Sequence, residues 1–143
     1  MSLLSVFDVA GSGMSAQALR LNVVASNLAN ADAVAGNSSQ VYRARHPVFA
    51  AQTPRFVDVM QDFNAQSLTG VRVAGIVESD APPHRRYQPG HPLADDEGYV
   101  LHANVNTIEE MANMMSASRS YQTNVELINT SKQLLLRTLA LGQ

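Results

Sequence analysis

The sequence has no cysteine, no tryptophan and a single lysine, Lys132. Without cysteine, neither a disulfide nor a thiolate metal site can form. The formal net charge is −2, and basic residues are not clustered enough for a sequence-independent grip on nucleic-acid phosphates. No apolar run approaches the roughly 20 residues of a membrane-spanning helix. The first residues carry Asp8 in place of the basic segment of a cleaved secretory signal.

The C-terminal stretch 104–141 lacks both proline and glycine, so nothing in it interrupts a helix. Asn106 or Thr107 can cap its start, with Glu109 or Glu110 reaching back as in a capping box. Its periodicity of three and four predicts a helix on the order of 50 Å long. The mostly apolar positions with this spacing, termed the C-terminal seam, are Met111, Met114, Ser118, Tyr121, Val125, Ile128, Lys132, Leu135 and Leu139.

Residues 1–30 repeat this periodicity and predict a second helix, with Gly11 and Gly13 as its weak point. Between Met1 and Ala31 only Asp8 and Arg20 are charged, and the remaining positions are largely serine, asparagine and glutamine. Such a neutral face is better suited to packing against other helices than to contact with water; an ordinary amphipathic helix of a small bundle is the alternative. The positions of this N-terminal seam are Leu4, Phe7, Gly11, Met14, Ala18, Leu21, Ala25 and Leu28.

Because a long helix cannot bury its seam against itself, we expect the two helices to pair. The methionines of the C-terminal helix, including Met115, are interpreted as seam packing, since methionine fills irregular helix interfaces. The contacts predicted between the helices place one set against the other: Leu21, Ala25 and Leu28 against Tyr121, Val125 and Ile128.

Between the helices the sequence changes to turns and short extended segments. Residues 41–50 are a candidate extended segment interrupted by Pro47, and 56–63 fits a helix or a strand equally well. The stretch 71–77 alternates as a strand, 85–88 is its candidate return strand, and 98–101 is a last short strand. These segments are too small for a sheet with its own core and resemble a hairpin arm held at its base by the helices.

The predicted fold is therefore mainly α with a small β arm. Long N- and C-terminal helices pair as an antiparallel coiled coil, with a short β-hairpin-like segment between them. The expected segments are an N-terminal helix (1–31), a connecting region (32–67), a small β segment (68–103) and a C-terminal helix (104–143).

The sequence gives little indication of an active site. The candidate metal ligands His46, His84, His91 and His102 do not share the i, i+4 spacing of a helical metal site. A hydrolase using His91 with Asp95 and Asp96 would depend on carboxylates that precede Gly98 in a turn, where acids are usually solvated. We expect no catalytic residue, no cofactor and no metal.

Several stretches carry a more specific signal: 7–12 (FDVAGS), 21–32 (LNVVASNLANAD), 92–95 with 98–100, 115–124 (MSASRSYQTN) and 137–143 (RTLALGQ). They resemble bacterial flagellar axial proteins of the rod, hook and filament, and the proximal-rod members in particular. The resemblance covers nearly the whole chain and departs mainly at 33–66 and at His102-Ala103. The motif residues are Asn22, Ser26, Asn27, Leu28, Asn30, Arg119, Tyr121 and Asn124.

The resemblance implies a structural subunit of the flagellar basal-body rod, not an enzyme. It implies export through the flagellar type III apparatus without a cleaved signal. Polymerisation with copies of itself and other rod subunits would then build a hollow rod that crosses the periplasm. It further implies that the terminal helices line the inside of this tube, and that neither nucleic acid nor a small-molecule substrate is a partner.

A soluble helical-hairpin adaptor whose β arm holds a ligand is the alternative. An adaptor that works as a monomer should carry solvating charges on residues 1–30, and the sequence has few there.

Overall fold

The computed structural model describes residues 3–52 and 70–141, and the side chains of 5–52 and 70–140. The stretch 56–63, predicted as helix or strand, and the side chain of Leu4 lie outside the described residues. The elements in chain order are α1 (Leu3–Ala29), β1 (Val34–Ala35), β2 (Arg45–Ala51), β3 (Val71–Glu78), β4 (His84–Tyr87), β5 (Tyr99–His102) and α2 (Thr107–Leu141).

The two long helices pack side by side in opposite directions. Positions 13, 20 and 27 of α1 contact positions 124, 113 and 110 of α2, respectively, so numbers rise along one helix as they fall along the other. Helix α2 has 35 residues and is therefore about 52 Å long. The predicted fold class, two long paired helices with small β structure between them, is confirmed.

The start of α2 is capped by Asn106. Its side-chain Oδ1 accepts hydrogen bonds from the N–H groups of Ile108 at 3.1 Å and Glu109 at 3.4 Å, which satisfies donors that have no partner within the helix. Of the two predicted candidates, Asn106 and Thr107, it is Asn106 that caps this helix. Glu110 does not reach back as a capping-box residue, because its carboxylate is bonded to Asn27 at the helix interface.

The strands form two small antiparallel sheets, β1-β5-β4 and the ribbon β2-β3. The prediction that 85–88 is the return strand of 71–77 is wrong, because β3 pairs with β2 and β4 pairs with β5. Pro47 remains inside β2, opposite Ile76. In a two-stranded ribbon each strand has a free edge, where proline's missing N–H costs no ladder hydrogen bond.

The β2-β3 ribbon lies along α1. At one end, the N–H of Val71 donates to Oγ of Ser12 at 3.1 Å; at the other, the side chain of Asn27 binds the backbone of Arg45. From Ser12 to Asn27 the helix rises about 22 Å. Strand β2, with 7 residues, spans about 23 Å. The matched lengths let the ribbon follow the helix from end to end.

The core is small and sits where α1 ends and α2 begins. Ala31, Ala44, Ala103 and Val105 form its buried cluster, with Tyr42 packed against them. Since the buried apolar side chains of the described residues are all alanine or valine, the helix pair depends on more than hydrophobic packing for its register.

Candidate assembly surfaces

Asn27 joins the three elements that meet at this core. Its side chain is fully buried, and Nδ2 donates to the Arg45 carbonyl and to Oε2 of Glu110, both at 2.8 Å. Its Oδ1 accepts from the Tyr42 hydroxyl and from the Arg45 N–H, both at 2.9 Å. These four bonds use two amide hydrogens and two oxygen lone pairs, the full capacity of an asparagine side chain. Asn27 thereby ties α1 to β2 and α2.

Glu110 extends this network along the helix interface. It is 3% exposed, and its Oε1 accepts from Nδ2 of Asn113 at 3.4 Å. Arg20 donates to Oδ1 of Asn113 at 2.9 Å. Within residues 3–52 and 70–141 no cation lies at ion-pair distance from Glu110, so Arg20 reaches it only through Asn113. A buried carboxylate is costly without hydrogen-bond donors, and the network therefore specifies the register of the two helices.

Small residues let the helices approach each other. Ala117 is wholly buried, and a Cβ placed on Gly13 would lie 3.0 Å from Nδ2 of Asn124. Gly13, predicted as a weak point of α1, thus makes room for a side chain of α2. Gly11 has no neighbour within 4 Å of such a Cβ.

The residue contacts predicted between the two seams are wrong. Leu21 follows Arg20, which is level with Asn113, so it lies about 12 residues, or about 18 Å, along α2 from Val125. Ala25 is exposed although its neighbour Val24 is buried. The seam residues of α2 that are likewise exposed are Met111, Tyr121, Lys132 and Leu139.

The face that each helix turns to the other lies one residue before the predicted seam, a rotation of about 100°. On α1 it includes Ala10, Gly13, Val24 and Asn27; on α2 it includes Glu110, Asn113, Ala117, Asn124 and Ser131. Polar and small residues therefore make this contact. The seam residues that remain half-buried beside it are Phe7, Gly11, Met14, Ala18, Leu21, Leu28, Met114, Ser118, Val125, Ile128 and Leu135.

Large apolar side chains are exposed along α2. Ile108, Met111 and Met115 stand at i, i+3 and i+7 and form one stripe, which we call the outer stripe. Ile108 lies about 160° around the helix from the buried Glu110, so the stripe points away from α1. The other large apolar side chains exposed on α2 are Tyr121, Leu127, Leu134, Leu136 and Leu139. Contiguous exposed apolar surface is typical of contacts between proteins. Interpreting Met111 and Met115 as packing between the paired helices was wrong.

The β4-β5 arm carries an ion cluster of its own. Nη2 of Arg85 lies 3.3 Å from Asp95 and 3.4 Å from Glu97, and its guanidinium lies 4.6 Å from the centroid of the Tyr99 ring. The carboxylate of Asp95 accepts from the N–H of Tyr99 at 2.7 Å and of Glu97 at 3.1 Å. The Tyr99 N–H is the main reason that the pKa of Asp95 is lowered. Asp95 thus organises the turn before β5.

Histidines do not assemble a reactive site in the part of the chain that the structure describes. Nδ1 of His91 accepts the N–H of Leu93 at 3.1 Å and so stabilises a turn. His84 and His102 are opposite each other on β4 and β5, and His46 pairs with Val77 across the ribbon. Over the same residues, no group of three potential metal ligands converges.

In the described part of the chain, neither long helix is apolar enough over a sufficient length to span a bilayer.

Some motif residues of the resemblance make contacts inside the molecule, and others are exposed. Asn27 makes the network above, Ser26 is hydrogen-bonded to Tyr42 at 3.3 Å, and Nδ2 of Asn30 donates to the Ser26 carbonyl at 2.8 Å. Asn124 packs at Gly13. Asn22, Arg119 and Tyr121 are exposed. Glu110 and Asn113 are the members of the network that sequence reasoning missed; a buried polar position on a helix gives no periodic apolar signal.

Comparison with known proteins places both long helices in regions that match flagellar rod families. Two family models match: Flagella basal body rod protein over residues 7–36, and Flagellar basal body rod FlgEFG protein C-terminal over residues 96–141. These ranges hold most of α1 and all of α2.

Curated relatives match end to end. Flagellar basal-body rod protein FlgC of Salmonella typhimurium is 52% identical over 143 residues, covering 100% of both chains. The Yersinia enterocolitica protein is 54% identical over 145 residues, again covering 100% of both. That of Borreliella burgdorferi is 36% identical over 154 residues, covering 100% of this chain and 99% of its own. The chain therefore belongs to the FlgC family of flagellar basal-body rod proteins, and is a structural subunit of the rod, not an enzyme.

Proposed function

We propose that the chain polymerises through its two terminal helices into the proximal part of the hollow rod, in contact with copies of itself and with other rod subunits. The α1-α2 pair forms the wall of the tube, and the β segment faces outward. The expected segments 1–31 and 104–143 serve as axial helices, 32–67 as a connector and 68–103 as the arm.

The exposed apolar side chains of α2 carry this proposal. Ile108 is 79% exposed, Met115 69% and Met111 55%, although the inner contact of the same helix is made by polar and small residues. Fully burying a side chain of this size stabilises a structure by about 1.5–3 kcal/mol. An assembly that covered the outer stripe would therefore gain several kcal/mol per subunit from these residues.

We further infer that the chain reaches a rod crossing the periplasm through the flagellar type III apparatus, without a cleaved signal peptide. The absence of cysteine supports export in an unfolded state, since no disulfide has to be broken or formed. The small alanine and valine core supports it too, because little apolar surface must be exposed to unfold it.

A substitution that places a charge in the outer stripe tests whether the chain assembles through its helices. In cells lacking the native chain, Met111→Asp should leave the amount of exported chain unchanged while the number of assembled basal bodies falls severely. Ser116→Asp is the matched control, because it adds the same charge at an exposed position of α2 that lies about 140° around the helix from Met111. Both are scored by electron microscopy of purified basal bodies and by immunoblots of exported chain. Normal assembly with Met111→Asp would refute the role of this surface.

A further inference from the structure

A groove of about 520 Å³ runs between α1 and β3. Ser15, Ala18 and Asn22 line it on the helix, and Val71 and Val73 line it on the strand. Apart from Leu19, which also lines it, the helix side consists of short side chains, so the groove has room for larger ones. Ser15 and Asn22 are exposed, and Ala18 is half-buried.

The outer stripe of α2 fits within this groove in length and suits it in chemistry. From Ile108 to Met115 the stripe covers seven residues of helix, about 10.5 Å. The helix side of the groove runs from Ser12 to Asn22, about 15 Å, so the stripe fits within its length. Methionine side chains adapt to irregular apolar gaps, and two of the three stripe residues are methionines. Large side chains on one surface thus meet mostly short ones on the other.

Charge at the two surfaces is also complementary. Glu109 is exposed next to Ile108 on α2, and Arg72 is exposed on the strand that lines the groove. In the ranges 3–52 and 70–141, neither of them has an ion-pair partner. Joining the surfaces would bring these two opposite charges together.

We propose that the outer stripe of one copy docks into the α1-β3 groove of a second copy, with Glu109 facing Arg72. The proposal rests on the proposed function and adds to it the contact between neighbouring copies. The stripe points away from α1, while the groove lies on α1 beside β3, so one molecule cannot fill its own groove. Such a heterologous contact builds a ring or an open helical array of copies, not a two-fold dimer.

Disulfide cross-linking in assembled basal bodies tests the contact, since the native chain has no cysteine. One copy carries Met111→Cys at the centre of the stripe and the other Ala18→Cys at the centre of the groove. In cells lacking the native chain, both are expressed together, and purified basal bodies are oxidised with copper phenanthroline. The expected product has twice the mass of the chain, disappears with reductant, and requires both substitutions.

The matched control replaces Met111→Cys with Gln122→Cys. Gln122 is exposed on α2, 11 positions and about 16 Å further along the helix. If Met111→Cys cross-links to Ala18→Cys no better than Gln122→Cys does, the docking is overturned. The proposed function is then left intact. Absence of the unsubstituted chain from purified rods would instead overturn the proposed function, and the docking with it.

A charge exchange gives a second measurement that does not depend on cysteine. Glu109→Arg and Arg72→Glu should each lower the basal-body yield about two- to fivefold, the range expected of an exposed ion pair. The chain carrying both substitutions restores opposite charges and should recover most of the yield. If the double variant lowered the basal-body yield by as much as the two single substitutions together, the two residues would not be in contact, and the proposal would fail.

Discussion

Replacing Asn27 with alanine should lower the free energy of unfolding more than replacing Asn22, the other asparagine of α1. The substitution removes one hydrogen bond from the buried carboxylate of Glu110, one from the Tyr42 hydroxyl and two from the backbone of Arg45. Glu110 keeps its bond from Asn113, and Tyr42 keeps its bond with Ser26. A bond to a charged group contributes about 1.5–3 kcal/mol and a neutral one about 0.5–1.5 kcal/mol. Alanine recovers about 0.5 kcal/mol through its higher helix propensity. With partial access of water to the vacated groups, we expect a net loss of about 4 kcal/mol.

Urea unfolding of the purified chain, followed by circular dichroism at 222 nm, measures this loss. For a small domain the free energy of unfolding falls by about 1–3 kcal/mol per molar urea, so the midpoint should move down by about 2 M. Asn22→Ala is the matched control, because Asn22 is exposed on the same helix and its replacement should change stability by at most about 0.5 kcal/mol. Tyr42→Phe, which removes one of the four bonds, should cost about 1 kcal/mol.

The order of the three variants is the decisive result. If Asn27→Ala unfolded at the same urea concentration as Asn22→Ala, the buried network would contribute nothing to the stability of the isolated chain. Asn27 and Glu110 would then not set the register of the two helices.

Hydrogen exchange should show amides in 23–27, where α1 meets β2 and α2, protected at least about tenfold more than those in 5–11; equal rates would contradict this. The lowered pKa of Asp95 implies that its carboxylate stabilises the turn at neutral pH. This contribution is lost as pH falls through that pKa, below the ordinary value of 3.8. NMR titration of the Tyr99 amide should show that step, and Asp95→Asn should abolish it. Arg86→Glu should reduce basal-body yield partially and in a salt-dependent way, without reducing exported chain.

The existence of both helices could be predicted from the sequence, because an uninterrupted apolar spacing of three and four over many turns is typical of a helix and not of a strand. The cap at Asn106 was predictable for the same kind of reason, since it depends on residues close in sequence. Gly11 and Gly13 lie inside α1 without ending it, because packing against α2 and the ribbon outweighs a propensity cost of about 1 kcal/mol each.

The register between the helices could not be predicted by that reasoning. It assumed that the most apolar face of each helix turns inward, whereas Asn27 and Glu110 bring the more polar face inward. Two buried groups that satisfy each other from opposite ends of the chain leave no pattern in either segment alone. Only the family resemblance marked Asn27, and nothing marked Glu110 as its partner.

The pairing of β3 with β2 was missed for a different reason. Strand pairing is decided by contacts distant in sequence, and Pro47 lowers the strand propensity of the true partner. The long stretch 52–70 separates β2 from β3 in the sequence, which made the nearer segment 85–88 look like the simpler return strand. What holds the ribbon in place is Ser12 at one end and Asn27 at the other, and both belong to a helix.

Because polar and apolar residues lie on different faces of α2, substitutions on the two faces should have different effects. If the apolar residues held the two helices together, substitutions at the stripe and at the network would both lower the stability of the isolated chain. The observed arrangement separates these effects. Changes at Asn27, Glu110 or Asn113 act on hydrogen bonds within one molecule, and so on the unfolding midpoint. Changes at Ile108, Met111 or Met115 act on surface that one molecule leaves exposed, and so on assembly alone. A soluble adaptor has no reason to keep such a stripe exposed, whereas a polymerising subunit does, because covering it supplies free energy only when a neighbour arrives.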